Sequence, residues 1–345
     1  MARVTIAEVS KLAGVSLGTV SNMLNHPDLV RPDTKAVIQQ AIDTLGYVPN
    51  RNARVLAGGK NSAFGLILSG LYHDFSAQIA QGAHDAARQM GRELLIASAD
   101  NDDILQNRYL DYFQGAQMAG LLLEPRAGSS WEPRQRMGIP TVLLDVYGEP
   151  GNTCKVAADN RQAGHLAAEH VMSLGKKRIV VVTAHDDIAS LSLRLEGVRE
   201  GVEADANVVI TQVMYADDWN SQEDGFTIGR RLAEADSGKR CDCVITMTDM
   251  LAHGIISGIL SAGLSVPNDI AVMGCDGNPR AWGSPVPMTT MEPFGYEVGF
   301  TAVRLLTESI DDPEHHRHQA MVIPMHLVPR ESTVGRVQIL DALRC

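Results

Sequence analysis

Two hydrophobic rhythms divide this chain. Up to Leu45 the apolar residues recur three and four positions apart, as on one face of a helix; from Phe64 onward they gather in short unbroken runs between helical stretches. In the first part, Ile6, Val9 and Ala13 mark one helix, Val20 and Leu24 a second, and Val37, Ile38, Ala41, Ile42 and Leu45 a third. The punctuation agrees: Thr5 and Glu8 are spaced as a capping box, Gly14 ends the first helix, Ser16 caps the second, and Pro32 and Gly46 bracket the third. Two short helices joined by such a turn form a helix-turn-helix, whose second helix suits a DNA major groove. A helical hairpin inside an ordinary domain is the other reading that the pattern leaves.

The second part predicts strands at Phe64–Leu68, Glu93–Ser98, Gly120–Leu123 and Thr141–Leu144, with helices at Ala77–Met90 and Ile104–Phe113. A further series begins at Asp159: a helix through Gly164–Leu174, strand Arg178–Thr183, a helix from Leu193, and strand Val208–Tyr215. A helix from Glu223, strand Cys243–Thr246, helix Asp249–Ala262 and strand Ile270–Cys275 complete it. Repeated strand–helix units predict two α/β lobes built on doubly wound parallel sheets, with a ligand cleft at the carboxyl ends of the strands. Between the two parts, Asn50 to Ala57 followed by Gly58-Gly59 reads as a helix of about two turns. So short a helix forms only when something else holds it.

Composition refines this picture. The 345 residues leave room for a small headpiece and roughly two larger cores, and nothing in 45% hydrophobic with 21% charged residues suggests disorder. The net charge of −11 is unevenly spread: residues 1–60 carry seven basic and four acidic side chains, leaving +3 there and −14 on the remainder. Positive charge thus sits where phosphates would be met. The five cysteines, an odd number, come without a signal peptide or an apolar run long enough to span a bilayer, which predicts a cytoplasmic protein with reduced thiols and no membrane partner. Cys241 and Cys243 lack a second ligand pair, and His315, His316 and His318 lie in a polar stretch that reads as a solvated loop. No metal site and no cofactor are expected.

The residues Ala13-Gly14-Val15-Ser16, Thr19-Val20-Ser21 and Leu24-Asn25 resemble the DNA-binding headpiece of the lactose/galactose repressor (LacI/GalR) family. The likeness continues through Gly82, Asp85-Ala86-Ala87, Asp100-Asn101-Asp102, Asp159-Asn160, Arg194, Gly197, Thr248-Asp249, Gly274-Cys275-Asp276, Thr289-Thr290 and Leu327 to Thr333. It implies a headpiece over 1–49, a hinge over 50–60, and a core like that of periplasmic binding proteins over 61–345. The N-lobe would take about 61–158 and 291–323, and the C-lobe about 159–290 and 324–345. It also implies a homodimer.

On the DNA side, the resemblance places Leu17, Gly18 and Asn22 at base edges, where Leu17 would pack on a thymine methyl and Asn22 pair with adenine. Leu17 has a second reading, as part of the headpiece core. Ser16, Thr19 and Ser21 are short hydroxyls suited to phosphates, and Thr5, Asn25, Arg31 and Asn50 join them. Leu56 matches the leucine that the family wedges into a central base step, its other reading being a linker leucine that touches the core lobe; Ala53 would let two hinge helices approach, with Arg51 and Arg54 on phosphates or in the minor groove.

In the cleft, the resemblance places Tyr72, Phe75, Arg194, Trp219, Thr248 and Asp276 around an effector, and Glu124 and Asp159 join them as acids at other strand ends; Asp159 and Arg194 have a second reading as helix caps or pairs between lobes, and Trp219 as a cover on the cleft rim. Carboxylates, one guanidinium and aromatic faces suit a polyhydroxylated ligand, so a sugar or sugar derivative is the first expectation. Thr248 stands where relatives commonly have Asn, and a purine or another metabolite stays open. The whole reads as a transcriptional regulator, most simply a repressor, and not as an enzyme: no G-x-S-x-G follows a predicted strand to make a nucleophile elbow, since Gly14–Gly18, which fits the letters, lies in the turn between two helices, and there is no phosphate-binding glycine loop. A solute-binding protein without DNA function is the competing reading.

Overall fold

A computed structural model of the chain describes residues 4–48, 62–71, 74–126, 138–184, 188–218, 220–277, 280–292 and 295–342. The expectations for Asn50, Arg51, Ala53, Arg54 and Leu56, and those for Tyr72 and Trp219, lie outside these residues. Two compact units divide the chain, one of residues 1–62 with 115–119, the other of the remainder.

In the first unit, α1 (Ile6–Ala13) begins at the capping box: the Glu8 amide donates to the Thr5 hydroxyl, and the Thr5 amide donates to the Glu8 carboxylate. Gly14, at φ 66°, turns the chain into α2 (Leu17–Asn25), whose cap Ser16 accepts from the Thr19 amide at 3.1 Å. The third helix, α3 (Pro32–Leu45), stops at Gly46 with φ 61°. Val9, Ala13, Val20, Ile38 and Ala41 form the core, with Ile6, Leu24 and Tyr47 packed around it. Val37, assigned to the buried face from spacing, is instead exposed.

The second unit holds two parallel sheets. Sheet one runs β11-β5-β4-β3-β1-β2, from β1 (Phe64–Leu68), β2 (Leu94–Ser98), β3 (Gly120–Leu123), β4 (Thr141–Leu144), β5 (Cys154–Ala158) and β11 (Ala320–Ile323). Sheet two runs β7-β6-β8-β9, from β6 (Arg178–Ala184), β7 (Val209–Ala216), β8 (Cys243–Thr246) and β9 (Ala271–Met273). All pairings within both sheets are parallel. In each, the first strand of the series lies between its successors, so the winding reverses between β1 and β3 and again between β6 and β8. These are the switch points at which doubly wound sheets open a crevice. A short antiparallel pair, β10 (Thr290–Glu292) with β12 (His326–Val328), completes the strands among the described residues.

Helices pack in pairs beside the sheets: α4 (Asp74–Gln89) with α11 (Gly295–Asp311), α6 (Asn160–Ser173) with α7 (Ala189–Val202), and α8 (Gln222–Ala233) with α9 (Asp249–Ser261). The α6–α7 pair is drawn close by Gly164, where an added Cβ would stand 2.1 Å from the Arg194 carbonyl oxygen. The other helices are α5 (Asp103–Gly115), α10 (Arg280–Gly283) and α12 (Glu331–Ala342). Buried hydroxyls anchor the start of α12: Ser332 accepts from the Thr289 amide, and Thr333 meets both Thr289 and His170.

Candidate functional site

On the headpiece, α2 and its cap Ser16 carry most of the residues assigned to DNA, while Thr5 and Arg31 stand at the starts of α1 and α3. Leu17, Gly18 and Asn22 are exposed, as are Ser16 and Arg31, while Thr19, Ser21 and Asn25 are half-buried. Leu17 is 50% exposed and absent from the headpiece core, which favours its outward role over its packing role. A methyl on Gly18 would meet only the Ser16 hydroxyl, at 3.8 Å, so nothing inside the headpiece requires glycine there. Ser16 and Thr19 hydroxyls share a hydrogen bond of 2.8 Å, and the Asn25 amide donates to Ser21. The Thr5 hydroxyl donates to Glu8 at 2.9 Å, so its local partner is the capping carboxylate.

In the core, polar side chains gather at the carboxyl ends of strands from both sheets. Glu124 follows β3 and is 6% exposed; it accepts from the Ser69 amide, just past β1, and from the Ser76 hydroxyl on α4. Asp145 follows β4 and accepts from the Tyr147 hydroxyl at 2.6 Å. Tyr147 in turn accepts from the Asn160 amide at the start of α6. Arg194, on α7 and 7% exposed, donates from Nε to Asn160 and from Nη1 to the Met247 carbonyl and, at 2.9 Å, to Asp276. Asp276, past β9, also accepts from the Asp249 amide, and Asp249 accepts from Thr290 at 2.6 Å. One continuous path of polar contacts therefore runs from Tyr147 and Asp145 through Asn160 and Arg194 to Asp276, with Glu124 close enough to Asp145 for their charges to interact.

The charges in this cluster are held under tension. Burial pushes the Glu124 carboxyl up to about 7, with the neighbouring Asp145 adding to the rise and the Ser69 and Ser76 hydrogen bonds opposing it. Burial likewise raises Asp145 to about 6, against the pull of the Tyr147 hydrogen bond and the Arg194 charge. Burial opposes the Arg194 cation, but Asp276 and its hydrogen bond more than offset that, so the guanidinium is firmly charged. Two carboxyls near neutrality and one fixed cation equip the cleft to donate as well as accept hydrogen bonds.

The other assigned residues have structural partners. Asp159 caps α6 by accepting from the Gln162 amide at 2.9 Å, while its own amide donates to Ile323 on the strand that returns to sheet one. Thr248 caps α9 and is fully buried. Phe75 is half-buried against the apolar cluster that contains Ala158, Met247 and Met273. Asp145, Tyr147 and Asn160 were not assigned from sequence. Asp145 follows an apolar run as Glu124 does, so the strand-end rule that found one would have found the other.

A DNA-reading helical headpiece followed by a two-sheet ligand-binding core defines a ligand-responsive class of regulatory protein. Residues 5–50 match the family described as bacterial regulatory proteins, lacI family, and residues 168–333 match the periplasmic binding protein-like domain. The chain is 28% identical over 341 residues to an HTH-type transcriptional repressor PurR of Aliivibrio fischeri, covering 97% of this chain and 99% of that one. It is also 28% identical over 326 residues to the ribose operon repressor of Escherichia coli, covering 93% and 97%. Among solved structures it superimposes on the Lac repressor dimer bound to operator and the anti-inducer ONPF with a TM-score of 0.82 at 23% identity, over 96% of this chain and 99% of that one. The transcriptional regulator CelR in complex with cellobiose gives 0.68 at 28% identity, over 96% and 100%. These matches give the chain a LacI-family DNA-binding domain followed by a periplasmic binding protein-like domain, the organisation of a DNA-binding transcriptional repressor and not of an enzyme. Among the described residues no helix is long and apolar enough to cross a membrane.

Proposed function

We propose that the protein is a cytoplasmic, dimeric repressor that binds a near-palindromic operator and is controlled by a sugar or sugar derivative between its lobes. The observation that carries this reading is the polar path from Asp145 to Asp276, which joins strand ends of both sheets and sets an arginine fork beside carboxyls that can donate or accept. A ring of hydroxyls fits such a lining, each donating to a carboxylate or accepting from Arg194. Headpiece over 1–49, hinge over 50–60 and core over 61–345 remain the division we adopt, with Leu56 as the wedge. The dimer reading is supported by the edge strand β2, where Leu95 and Ile96 are 38% and 45% exposed, and by exposed Tyr112 on α5. Apolar residues on an open sheet edge call for a partner.

The effector class is tested by thermal shift across sugars, sugar acids, polyols and purines. A ligand at about a hundred times its Kd adds about 2.7 kcal/mol. A sugar should raise Tm in the wild type and not in Arg194→Lys, which keeps the charge but loses the planar fork. A response to purines alone would favour the metabolite reading carried by the PurR relatives.

A further inference from the structure

Cys154 opens β5, one strand in from the edge of sheet one, and its side chain is 1% exposed. The edge strand β11 pairs with it in parallel, and the Lys155 amide donates to the Gln319 carbonyl at 3.0 Å, fixing the register just upstream. That register brings the residues before β11 onto Cys154. Its Sγ lies 3.2 Å from His316 Nε2 and 3.6 Å from His318 Nδ1, and the three atoms all fall within 4.8 Å of one another. The two imidazoles meet edge to face with centroids 5.2 Å apart. His315 takes no part; it stays exposed against Asp312. The histidine stretch is thus not simply a solvated loop, as its polarity suggested, because two of its three rings turn onto one buried sulfur.

We infer that Cys154, His316 and His318 form a binding site for Zn²⁺. Zn–S bonds of about 2.3 Å and Zn–N bonds of about 2.0–2.1 Å at tetrahedral angles put sulfur and nitrogen about 3.6 Å apart. The 3.6 Å separation from His318 equals that edge and the 3.2 Å separation from His316 is somewhat shorter, so side-chain adjustment around the sulfur would seat an ion. A thiolate with two imidazoles selects zinc over the oxygen-seeking Mg²⁺ and Ca²⁺. Binding converts the Cys154 thiol to a thiolate and releases its proton to solvent. Three protein ligands leave a fourth position on the exposed side, where His316 also borders an open groove of about 570 Å³ with Glu308 and Asp312. That groove is the entry path. The ion would tie β5 to the chain entering β11, the strand from which the polypeptide passes on to β12 and α12. Sequence inspection missed the set because Cys154 and His316 are 162 residues apart.

The test uses full-length, tag-free protein stripped of metal with a chelator, titrated with Co²⁺ as a spectroscopic probe and then with Zn²⁺. One Co²⁺ per chain should bind with a thiolate-to-cobalt charge-transfer band, and Zn²⁺ should bleach it. Cys154→Ser should abolish the band. Because Cys154 is buried, His316→Ala and His318→Ala serve as independent variants on the loop, each weakening Zn²⁺ binding at least about tenfold. Zn²⁺ should also raise the Tm of the wild type and not of the double histidine variant. Cobalt binding without a thiolate band, a band that survives in the double histidine variant, or no binding of either metal would overturn the site.

Discussion

Glu124 shows how far single residues report on function. It is an acid sealed at the switch point of sheet one, and its ionisation works against the fold. With a folded pKa of about 7 against 4.5 for the free group, its stabilising contribution is complete below pH 4.5 and is lost as pH rises through 7. Keeping it ionised in the fold costs roughly 3 kcal/mol. Glu124→Gln can still accept from Ser69, so the Tm of the variant minus that of the wild type should grow from pH 4.5 to 7 and level off above. A flat difference across that range would show that Glu124 is not buried as described. At the headpiece, Gly18→Ala should leave folding intact, since a helical Gly→Ala change stabilises by about 0.5–1 kcal/mol. Operator affinity or base preference should nevertheless change, measured by competition between duplexes. Unchanged recognition would remove Gly18 from the interface.

Residue identities were legible in the sequence where a motif and a structural boundary coincided. Arg194 and Asp276 fall in family words and meet in space, whereas Asp145 and Tyr147 follow β4 outside any motif word. Asp159 and Thr248, named for the cleft, turn out to cap helices, a role that short polar side chains at helix starts fill readily. The C-terminal words around Thr289 and Thr333 also serve packing, through the hydroxyls that hold α12.

Elements were legible when their apolar runs were strong. The strands Phe64–Leu68, Gly120–Leu123, Thr141–Leu144 and Cys243–Thr246 match their sequence patterns residue for residue, because fully buried parallel strands read as unbroken hydrophobic runs. β5 went unread: its Cys154, Lys155 and paired alanines carry little strand signal, and it is buried by neighbours from distant parts of the chain. α11 was also not assigned, although Val298, Ala302, Val303, Leu305 and Leu306 lie along its buried face. β10, β11 and β12 are only three or four residues long and are stabilised by pairing rather than by propensity. Close helix packing gives an element-scale prediction. Gly164→Ala would drive a methyl into the Arg194 backbone, costing about 1–3 kcal/mol and displacing the guanidinium. Gly258→Ala makes a similar intrusion between α8 and α9, 2.3 Å from the Phe226 carbonyl oxygen. Both should lower Tm, but only Gly164→Ala should weaken effector binding; equal effects on affinity would uncouple α7 from the cleft.

At the scale of the whole molecule, charge and fold divide the labour. The acidic core is repelled by DNA while the basic N-terminal segment approaches phosphates, so removal of residues 1–60 should abolish operator binding and leave the effector-induced Tm rise intact. A core that loses its ligand response on this deletion would contradict the independence of the two units. Regulation then rests on linkage: whatever factor the effector imposes on DNA affinity, DNA imposes on effector affinity. We propose that this exchange takes place at residues 50–57, whose sequence reads as a helix that only an added partner would hold.

The most direct test selects duplexes from a random pool with the full-length protein, then titrates the best one by fluorescence anisotropy across salt, with and without the ligand that raises Tm. The account predicts a two-fold-symmetric sequence, an affinity that falls linearly in log salt, and a shift in that affinity when the ligand is present. Selection of no symmetric site, or an affinity that the stabilising ligand leaves unmoved, would contradict it.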